Sequence, residues 1–216
     1  MLRFAQHFAP GYHISHLWRE EFSVFKVELK LEIDLKVKNE TAAELTVWTV
    51  GHSTRSADEF NNLLTSHHIR NLVDVRSLPG SRRHPQFNQK NLSESLRTVG
   101  IEHHHLPSLG GRRRPKPDSK NTAWQNASFR AYADHMESEE FAEGVKSLLE
   151  LARQASTAIM CAEALWWRCH RGLVADYLKA SGVNVVHIMG PSNIEDHPFT
   201  SAARIVDGQL NYEGLL

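Results

Sequence analysis

The sequence has few cysteines, no long apolar run and no excess of either charge. Only Cys161 and Cys169 occur among its 216 residues, so a disulfide framework is not expected and a reducing compartment is indicated. No apolar stretch approaches the roughly 20 residues needed to cross a bilayer. No basic and apolar leader opens the sequence, as a secretory signal would require. We therefore expect a cytoplasmic protein without a membrane partner.

The charge balance and the absence of two motifs limit the classes of ligand that we expect the protein to bind. Lys plus Arg and Asp plus Glu each number 25, so the field of the whole molecule does not recruit nucleic acid, and any anion site must come from a local cluster. Neither a GxxxxGK[ST] loop nor a GxGxxG turn after the first strand is present, which argues against triphosphate and dinucleotide binding. No cofactor is indicated.

The length and a hydrophobic fraction of 41% fit one globular domain with an appendage. Residues 27–37 alternate apolar and charged side chains, which predicts a long strand with one apolar face. The pattern changes near Ala42, so we assign residues 1–42 to an N-terminal extension and residues 43–216 to a single α/β domain. An exposed strand of this kind favours pairing with a second copy, and we expect a homodimer.

From Leu45 onward the sequence alternates strand and helix patterns. Apolar runs predict strands at residues 45–50, 71–75, 101–106, 157–162 and 184–188. Helical patterns start at a Ser56/Glu59 capping box, at Asn91 with Glu94, at Ser128 with a break near Ser138, and at His170 with an end at Gly182. Asp207-Gly208 predicts a C-terminal hairpin. Together these elements imply an α/β fold: a mostly parallel sheet flanked by helices on both faces, with an N-terminal accessory strand and a C-terminal hairpin.

Polar residues follow four of the predicted strands. They are His52 with Ser53, Asp74 with Arg76, residues 103–105 and residues 161–163. Ligands of an open parallel sheet bind beyond the carboxyl ends of its strands. Each residue taken singly is more often a turn or cap residue, but their coincidence indicates one site at this rim.

Asp74 and Arg76 are two positions apart, so their side chains point the same way if the strand continues through them. They form either a structural ion pair or an ionised carboxylate beside a cation that binds substrate. We favour the second interpretation.

Two predicted loops near the rim are basic. One carries Arg82 and Arg83, and the other runs from Gly110-Gly111 through residues 112–120 with three consecutive arginines. Together they would form an electropositive mouth for phosphate or a nucleic-acid backbone. The alternative is a solvated run of charges.

Cys169, His170 and Arg171 stand at the start of a predicted helix, where a thiolate is favoured. The alternative is that Cys169 is a packing residue and that Arg171 pairs with Glu163. A zinc site is not indicated, because His103, His104 and His105 are consecutive and no second pair has ligand spacing. We assign no metal ligands, although Cys161, Cys169 and His170 remain one set that could bind a metal.

These motifs resemble those of the family called domain of unknown function 488. The resemblance rests on residues 49–53, Asp74 to Arg76 with Pro79 and Ser81, Gly100-Ile101, residues 109–111, residues 161–163 and residues 169–171. It covers about residues 47 to 188 and keeps the order and spacing of the motifs. The resemblance implies an α/β domain and implies no particular reaction.

Three functions fit these residues. The first is an enzyme acting on a nucleotide or nucleic acid, the second is a nucleic-acid-binding module with Trp124, Trp166 or Trp167 for stacking, and the third is a thiol-dependent enzyme using Cys169. The candidate catalytic residues are Asp74, Glu163, His52, Cys169 and His170. The candidate substrate-binding residues are Arg76, Arg82, Arg83, Arg171, Ser53, Gly110 and Gly111.

Overall fold

A computed structural model of the chain describes residues 45–214. The predicted strand at residues 27–37, the boundary near Ala42 and the dimer expected from that strand concern residues outside this range, so they stay predictions. Eight strands are described: β1 (Thr46–Gly51), β2 (Asn71–Asp74), β3 (Glu102–His105), β4 (Thr157–Cys161), β5 (Asn184–Gly190), β6 (Asn193–Asp196), β7 (Arg204–Val206) and β8 (Gln209–Asn211). Five α-helices are described: α1 (Ala57–Ser66), α2 (Gln89–Thr98), α3 (Ala127–Met136), α4 (Glu139–Gln154) and α5 (Arg171–Ala180).

The main sheet has six strands in the order β3-β2-β4-β1-β5-β6. The first five strands of that order run parallel, with Val50 opposite Met160 and Asp74 also opposite Met160. β6 pairs antiparallel to β5 at the edge. The predicted α/β fold is therefore confirmed, and the carboxyl ends of β1, β2 and β4 are neighbours at one rim.

Helices cover both faces of the sheet, as right-handed crossovers require. On the first face, α1 and α2 pack on alternate strand residues, and this core is fully buried. Its members include Val50, Phe60, Leu64, Leu72, Leu96 and Met160. On the second face lie α3, α4 and α5, and the Asn71 side chain on that face donates to the Leu151 carbonyl oxygen of α4 at 3.2 Å.

Helix ends follow local rules that the sequence carries. Ser56 and Glu59 form the predicted capping box of α1, and Ser138 caps α4 by accepting from the Phe141 amide. Gly182, at φ +83°, follows α5 in the left-handed conformation that glycine favours. The second helix was placed wrongly: α2 starts one turn before Asn91, with Asn88 at the N-cap position.

The C-terminal hairpin forms where the sequence predicts it. Asp207 and Gly208 both have positive φ, +50° and +75°, as a type I′ turn requires. It joins β7 and β8 as a separate two-stranded sheet, so it does not extend the main one. Among residues 45–214, no helix is long and apolar enough to cross a membrane.

Candidate functional site at the carboxyl rim

Main-chain hydrogen bonds continue beyond the strands and bring three loops together. The His52 amide donates to the Cys161 carbonyl oxygen and the Ser53 amide to that of Ala162, both at 2.9 Å. The Val75 amide donates to the Met160 carbonyl oxygen at 3.0 Å. The residues after β1, β2 and β4 are thereby held side by side.

His52, Asp74 and Arg76 form one group at this rim, which we call the aspartate–arginine cluster. Arg76 Nε and Nη2 donate to the two carboxylate oxygens of Asp74 at 2.6 to 3.1 Å. Arg76 Nη2 also donates to the Phe87 carbonyl oxygen at 2.8 Å, and Nη1 donates to His52 Nε2 at 3.3 Å. Asp74 is fully buried and Arg76 is 8% exposed. All three nitrogen atoms of the Arg76 guanidinium therefore donate hydrogen bonds within the protein.

The protonation of this cluster follows from its contacts. Burial raises the pKa of Asp74, but hydrogen bonds and charge from Arg76, with His103 close by, outweigh burial and hold that pKa below its usual value. His52 Nδ1 donates to the Ser53 carbonyl oxygen at 2.8 Å, which leaves Nε2 to accept from Arg76. Burial lowers the pKa of His52 to about 4, so this imidazole is neutral at pH 7.

Two histidines of β3 support the cluster from the edge. They lie on the same side of the strand, as alternation requires. His105 Nε2 donates to the Arg76 carbonyl oxygen at 2.8 Å, and His103 Nε2 lies 3.8 Å from Asp74 Oδ2. Both histidines therefore lie against the aspartate–arginine cluster.

Cys161, Cys169 and His170 form a second group, which we call the cysteine–histidine cluster. His170 Nδ1 lies 3.6 Å from Cys169 Sγ and 4.0 Å from Cys161 Sγ, and the three atoms all lie within 4.8 Å of one another. His170 Nε2 is 3.2 Å from the Val75 carbonyl oxygen. Because a carbonyl oxygen only accepts, Nε2 carries a proton. Both thiols are buried.

The electrostatics of the cluster favour a thiolate on Cys169. Burial raises the pKa of Cys169, but the Cys161 thiol and the charges of His170 and Arg171 outweigh burial and hold that pKa well below its usual value. The Arg171 amide, the first of α5, lies 3.5 Å from Cys169 Sγ as a donor. Interaction with Cys169, together with burial, raises the pKa of Cys161 well above its usual value. Of the two cysteines, Cys169 is the one whose thiolate is favoured.

Two glycines allow the loops to approach this closely. A Cβ atom at Gly51 would overlap the Glu163 backbone carbonyl, and one at Gly111 would overlap the His170 ring. Ser53, directly after β1, adopts φ +53°, which is uncommon for a residue with a side chain. At the rim, the backbone of Gly51 therefore packs directly on the backbone of Glu163, and the backbone of Gly111 packs directly on the imidazole of His170.

Arg171 is almost fully buried beneath the cysteine–histidine cluster, at 1% exposure. Nη1 donates to the Thr49 hydroxyl at 2.9 Å and Nη2 to the Glu163 carbonyl oxygen at 2.6 Å. Arg171 therefore contacts Glu163, as one interpretation of the sequence predicted. The acceptor is the backbone carbonyl oxygen of Glu163 and not its carboxylate, so the contact is not an ion pair. Arg171 Nε has no hydrogen-bond partner among residues 45–214.

A chain of hydrogen bonds runs from Arg171 to a buried carboxylate. The Thr49 hydroxyl, which accepts from Arg171, lies 2.7 Å from His187 Nδ1. His187 Nε2 lies 2.8 Å from His197 Nδ1, and His197 Nε2 donates to Asp176 Oδ1 at 3.0 Å. Burial and the charges of His197 and Arg171 lower the pKa of His187 to about 3, which agrees with a neutral ring in this chain.

The arginines of the two basic loops are of two kinds, one that is bound by other residues and several that are exposed. Arg113 binds Glu140 at 3.0 Å and donates to the carbonyl oxygen of Gly110, so it fastens its loop. Arg82, Arg83, Arg112 and Arg114 are exposed. The Arg112 amide donates to Ser77 Oγ at 3.3 Å, which joins the loop after β3 to the loop after β2.

The aromatic candidates also separate. Trp124 packs edge-on against Phe129. Trp166 is buried and stacks on His187, with centroids 4.5 Å apart and planes within 7°. Trp167, at 47% exposure, is the most exposed of the three predicted stacking residues.

A family match agrees with the motifs found at this rim. The model of the family described as Domain of unknown function DUF488 matches residues 56–178. The chain belongs to the DUF488 family. The match covers α1 through most of α5 and therefore includes Asp74, Arg76 and the cysteine–histidine cluster. No curated protein and no solved structure matches the chain.

The DUF488 rim holds the predicted residues in two adjoining clusters rather than one. Asp74 lies on the face of the sheet that α1 and α2 cover, whereas Cys161 lies on the face that carries α5, the helix that begins at Arg171. Cys161 was placed at the rim and in a possible metal-binding set, but it was not among the candidate catalytic or substrate-binding residues. It ends a strand whose alternate residues, Thr157 and Ile159, share its face. Catalytic and substrate-binding roles for the named residues stay predictions.

Proposed function

We propose that the protein is an enzyme that acts on a phosphate-bearing substrate, a nucleotide or a nucleic acid, at the carboxyl rim of its sheet. One observation carries the proposal: exposed arginines lie on two joined loops beside a cluster of two buried cysteines and a histidine. Arg82 and Arg83 lie on one loop, and Arg112 and Arg114 lie on the other. Local positive charge of this kind binds phosphate even though the whole chain is neutral.

The roles divide according to exposure. Arg76 and Arg171 already donate to internal partners, so the exposed arginines are better placed to bind the anion. Glu163 has an exposed side chain without a hydrogen bond or ion pair in the described part of the chain, and it lies on the loop after Cys161. It is therefore a better candidate base than Asp74, which is held by Arg76.

Binding to a fluorescent single-stranded oligonucleotide and to ATP at several salt concentrations tests the anion site. Replacing Arg82 and Arg83, or Arg112 and Arg114, with alanine should weaken binding and reduce the salt slope by about 2 for each pair. Arg97→Ala is the matched control, because Arg97 is exposed in the last turn of α2. This turn lies just before the amino end of β3, at the end of the strands opposite to the rim. Equal effects at Arg97 would contradict the proposal.

Glu163→Gln separates an enzyme from a binding module. We expect this change to abolish turnover, measured as products resolved by chromatography, and to leave oligonucleotide and ATP binding within about twofold. Binding that depends on the arginines without any turnover in the unaltered protein would instead identify a non-catalytic nucleic-acid-binding module.

A second candidate is a thiol-dependent enzyme with Cys169 as nucleophile. It is favoured by the charges of His170 and Arg171, which keep the pKa of Cys169 low against the effect of burial. Iodoacetamide at neutral pH should then label Cys169 before Cys161, with Cys169→Ser and Cys161→Ser as a matched pair. An unreactive Cys169 in metal-free protein would exclude this candidate.

We also propose, from the sequence pattern alone, a cytoplasmic homodimer that pairs through residues 27–37. Removal of residues 1–42 should then yield a monomer in analytical ultracentrifugation. A dimer of the shortened chain would contradict pairing through that strand.

A further inference from the structure

We propose that Cys161, Cys169 and His170 bind a thiophilic divalent metal ion, with Zn²⁺ as the best fit. The inference goes beyond the proposed function and depends on it only where the metal is linked to the reaction at the rim. It rests on the identity of the three side chains, on their spacing and on the hydrogen bond that orients the histidine.

The spacing of the three ligand atoms matches a tetrahedral site. Zinc lies about 2.3 Å from sulfur and about 2.0 to 2.1 Å from nitrogen, so tetrahedral angles place nitrogen and sulfur about 3.6 Å apart. His170 Nδ1 lies 3.6 Å from Cys169 Sγ and 4.0 Å from Cys161 Sγ. All three atoms lie within 4.8 Å of one another. The two sulfurs of a tetrahedral site lie about 3.8 Å apart, so they would have to approach each other by up to about 1 Å to surround one ion.

The histidine is oriented as metal-binding histidines are. His170 Nε2 donates to the Val75 carbonyl oxygen at 3.2 Å, which fixes the proton on that nitrogen. A metal ion would therefore bind Nδ1, the atom that faces both sulfurs. A backbone carbonyl as the second partner of a ligating imidazole is a common arrangement in metal sites.

The surroundings also suit two thiolates. The first amide of α5 lies 3.5 Å from Cys169 Sγ, and the buried Arg171 brings a positive charge with an unused Nε donor. Both compensate for negative charge on sulfur. Binding of the ion to the two thiols would release their protons, so the site gains a metal and loses up to two protons.

The composition of the site indicates its use. Two cysteines and one histidine leave a fourth position for water or a substrate atom, as in catalytic rather than structural zinc sites. Glu163 follows Cys161 by two residues on the rim loop and has an exposed side chain. A metal here would lie beside the loop that carries this carboxylate.

The sequence names these three residues as a possible set but does not favour them over other residues. Cys169 and His170 are adjacent in sequence, which is not a familiar ligand spacing, and Cys161 belongs to a different element. The turn at residues 166–168 and the start of α5 bring them together.

Titration of the reduced full-length protein with Zn²⁺ and with Co²⁺ tests the inference directly. We expect about one equivalent of tightly bound metal and, with Co²⁺, thiolate charge-transfer absorption together with the visible bands of a tetrahedral site. Zn²⁺ should also protect both cysteines of the unaltered protein from alkylation. Absence of bound metal, or binding without thiolate absorption, would overturn the proposal.

Variants then locate the site. Cys161→Ser, Cys169→Ser and His170→Ala should each lower Zn²⁺ affinity by ~100-fold or more, and His68→Asn, on an exposed histidine outside the cluster, should leave it unchanged. Unchanged affinity in the three ligand variants would refute the assignment.

Gly111→Ala provides a test that removes no ligand. The new Cβ would overlap the His170 ring, whereas the matched change Gly110→Ala meets Ser77 and the Pro107 carbonyl oxygen instead. Gly111→Ala should weaken Zn²⁺ binding at least tenfold more than Gly110→Ala. Equal affinities in these two variants would contradict a site at His170 Nδ1.

The metal measurement needs no turnover, so the two proposals fail separately. Zinc binding without any binding of ATP or oligonucleotide would reject only the proposed substrate. Arginine-dependent binding of those probes with no metal would reject only the zinc site.

Discussion

The guanidinium of Arg171 donates a hydrogen bond of 2.9 Å to the hydroxyl of Thr49, 122 positions earlier in the chain. This bond joins the start of α5 to the central strand β1. Thr49 is also the first member of the chain of contacts that continues through His187 and His197 to Asp176.

Thr49→Val tests that chain. The change keeps the shape of the side chain but leaves Arg171 Nη1 and His187 Nδ1 without their shared partner. We expect a loss of about 1 to 3 kcal/mol in the free energy of unfolding, measured by urea denaturation. Thr54→Val, at an exposed threonine, should change it by less than about 0.5 kcal/mol. Similar values for both variants would show that the Thr49 hydroxyl contributes little.

The ion pair between Asp74 and Arg76 should be costly to break from one side. Asp74→Asn leaves a buried guanidinium without its countercharge, and we expect a loss of about 3 to 5 kcal/mol in unfolding free energy. The double variant Asp74→Asn with Arg76→Met should lose less than the sum of the two single changes. Additive losses in this double-mutant cycle would mean that the two side chains do not interact.

Gly51→Ala should disturb the rim through backbone alone. The added Cβ would overlap the carbonyl group of Glu163, and neither strand end can move without breaking its pairing. We expect a loss of about 1 to 3 kcal/mol or more, seen as a lower midpoint of thermal unfolding. Gly80→Ala is the control, because a Cβ there meets nothing within 4 Å. An unchanged midpoint for Gly51→Ala would show that the loop yields freely.

Stability should fall in mild acid because of buried neutral histidines. The pKa of His187 is lowered to about 3 by burial and by neighbouring charge. The unfolded chain takes up a proton near pH 6.5 while the folded ring does not, so stability present above that pH is lost progressively down to about pH 3. This histidine should add a slope of up to about 1.4 kcal/mol per pH unit.

Urea unfolding at pH 7, 6 and 5 measures that slope. His187→Asn removes the titrating group, so its stability should depend less steeply on pH than that of the unaltered protein, whatever its value at pH 7. Parallel curves for the two proteins would contradict a neutral His187 in the folded state.

Local rules explain which elements were predictable. The Ser56/Glu59 box, Gly182 and Asp207-Gly208 each specify backbone geometry within a few residues, and the structure confirms them. The start of α2 was wrong by one turn, because Asn91 and Glu94 have the spacing of a cap while the chain already turns after the 3₁₀ segment Pro85–Phe87. β6 was missed because its four exposed residues form a strand only by pairing with β5.

The site was predictable in place but not in arrangement. Strand ends correctly brought the polar residues to one rim. The register that sets Asp74 opposite Met160 then turns Asp74 and Cys161 to opposite faces, and no local pattern encodes that register. The hydrogen-bond acceptors of Arg171 could not be predicted either. They are a backbone carbonyl oxygen and the hydroxyl of a residue far away in sequence, and neither is a charged group that a sequence pattern would indicate.

The stack of Trp166 on His187 provides an intrinsic fluorescence probe close to the cysteine–histidine cluster. This indole lies on the segment that connects Cys161 to Cys169, and its Nε1 donates to Glu195 at 3.2 Å. Protonation of the stacked imidazole, or a shift of the segment around an ion, would alter the emission of that indole. Fluorescence could therefore follow events at the rim in real time without an attached label.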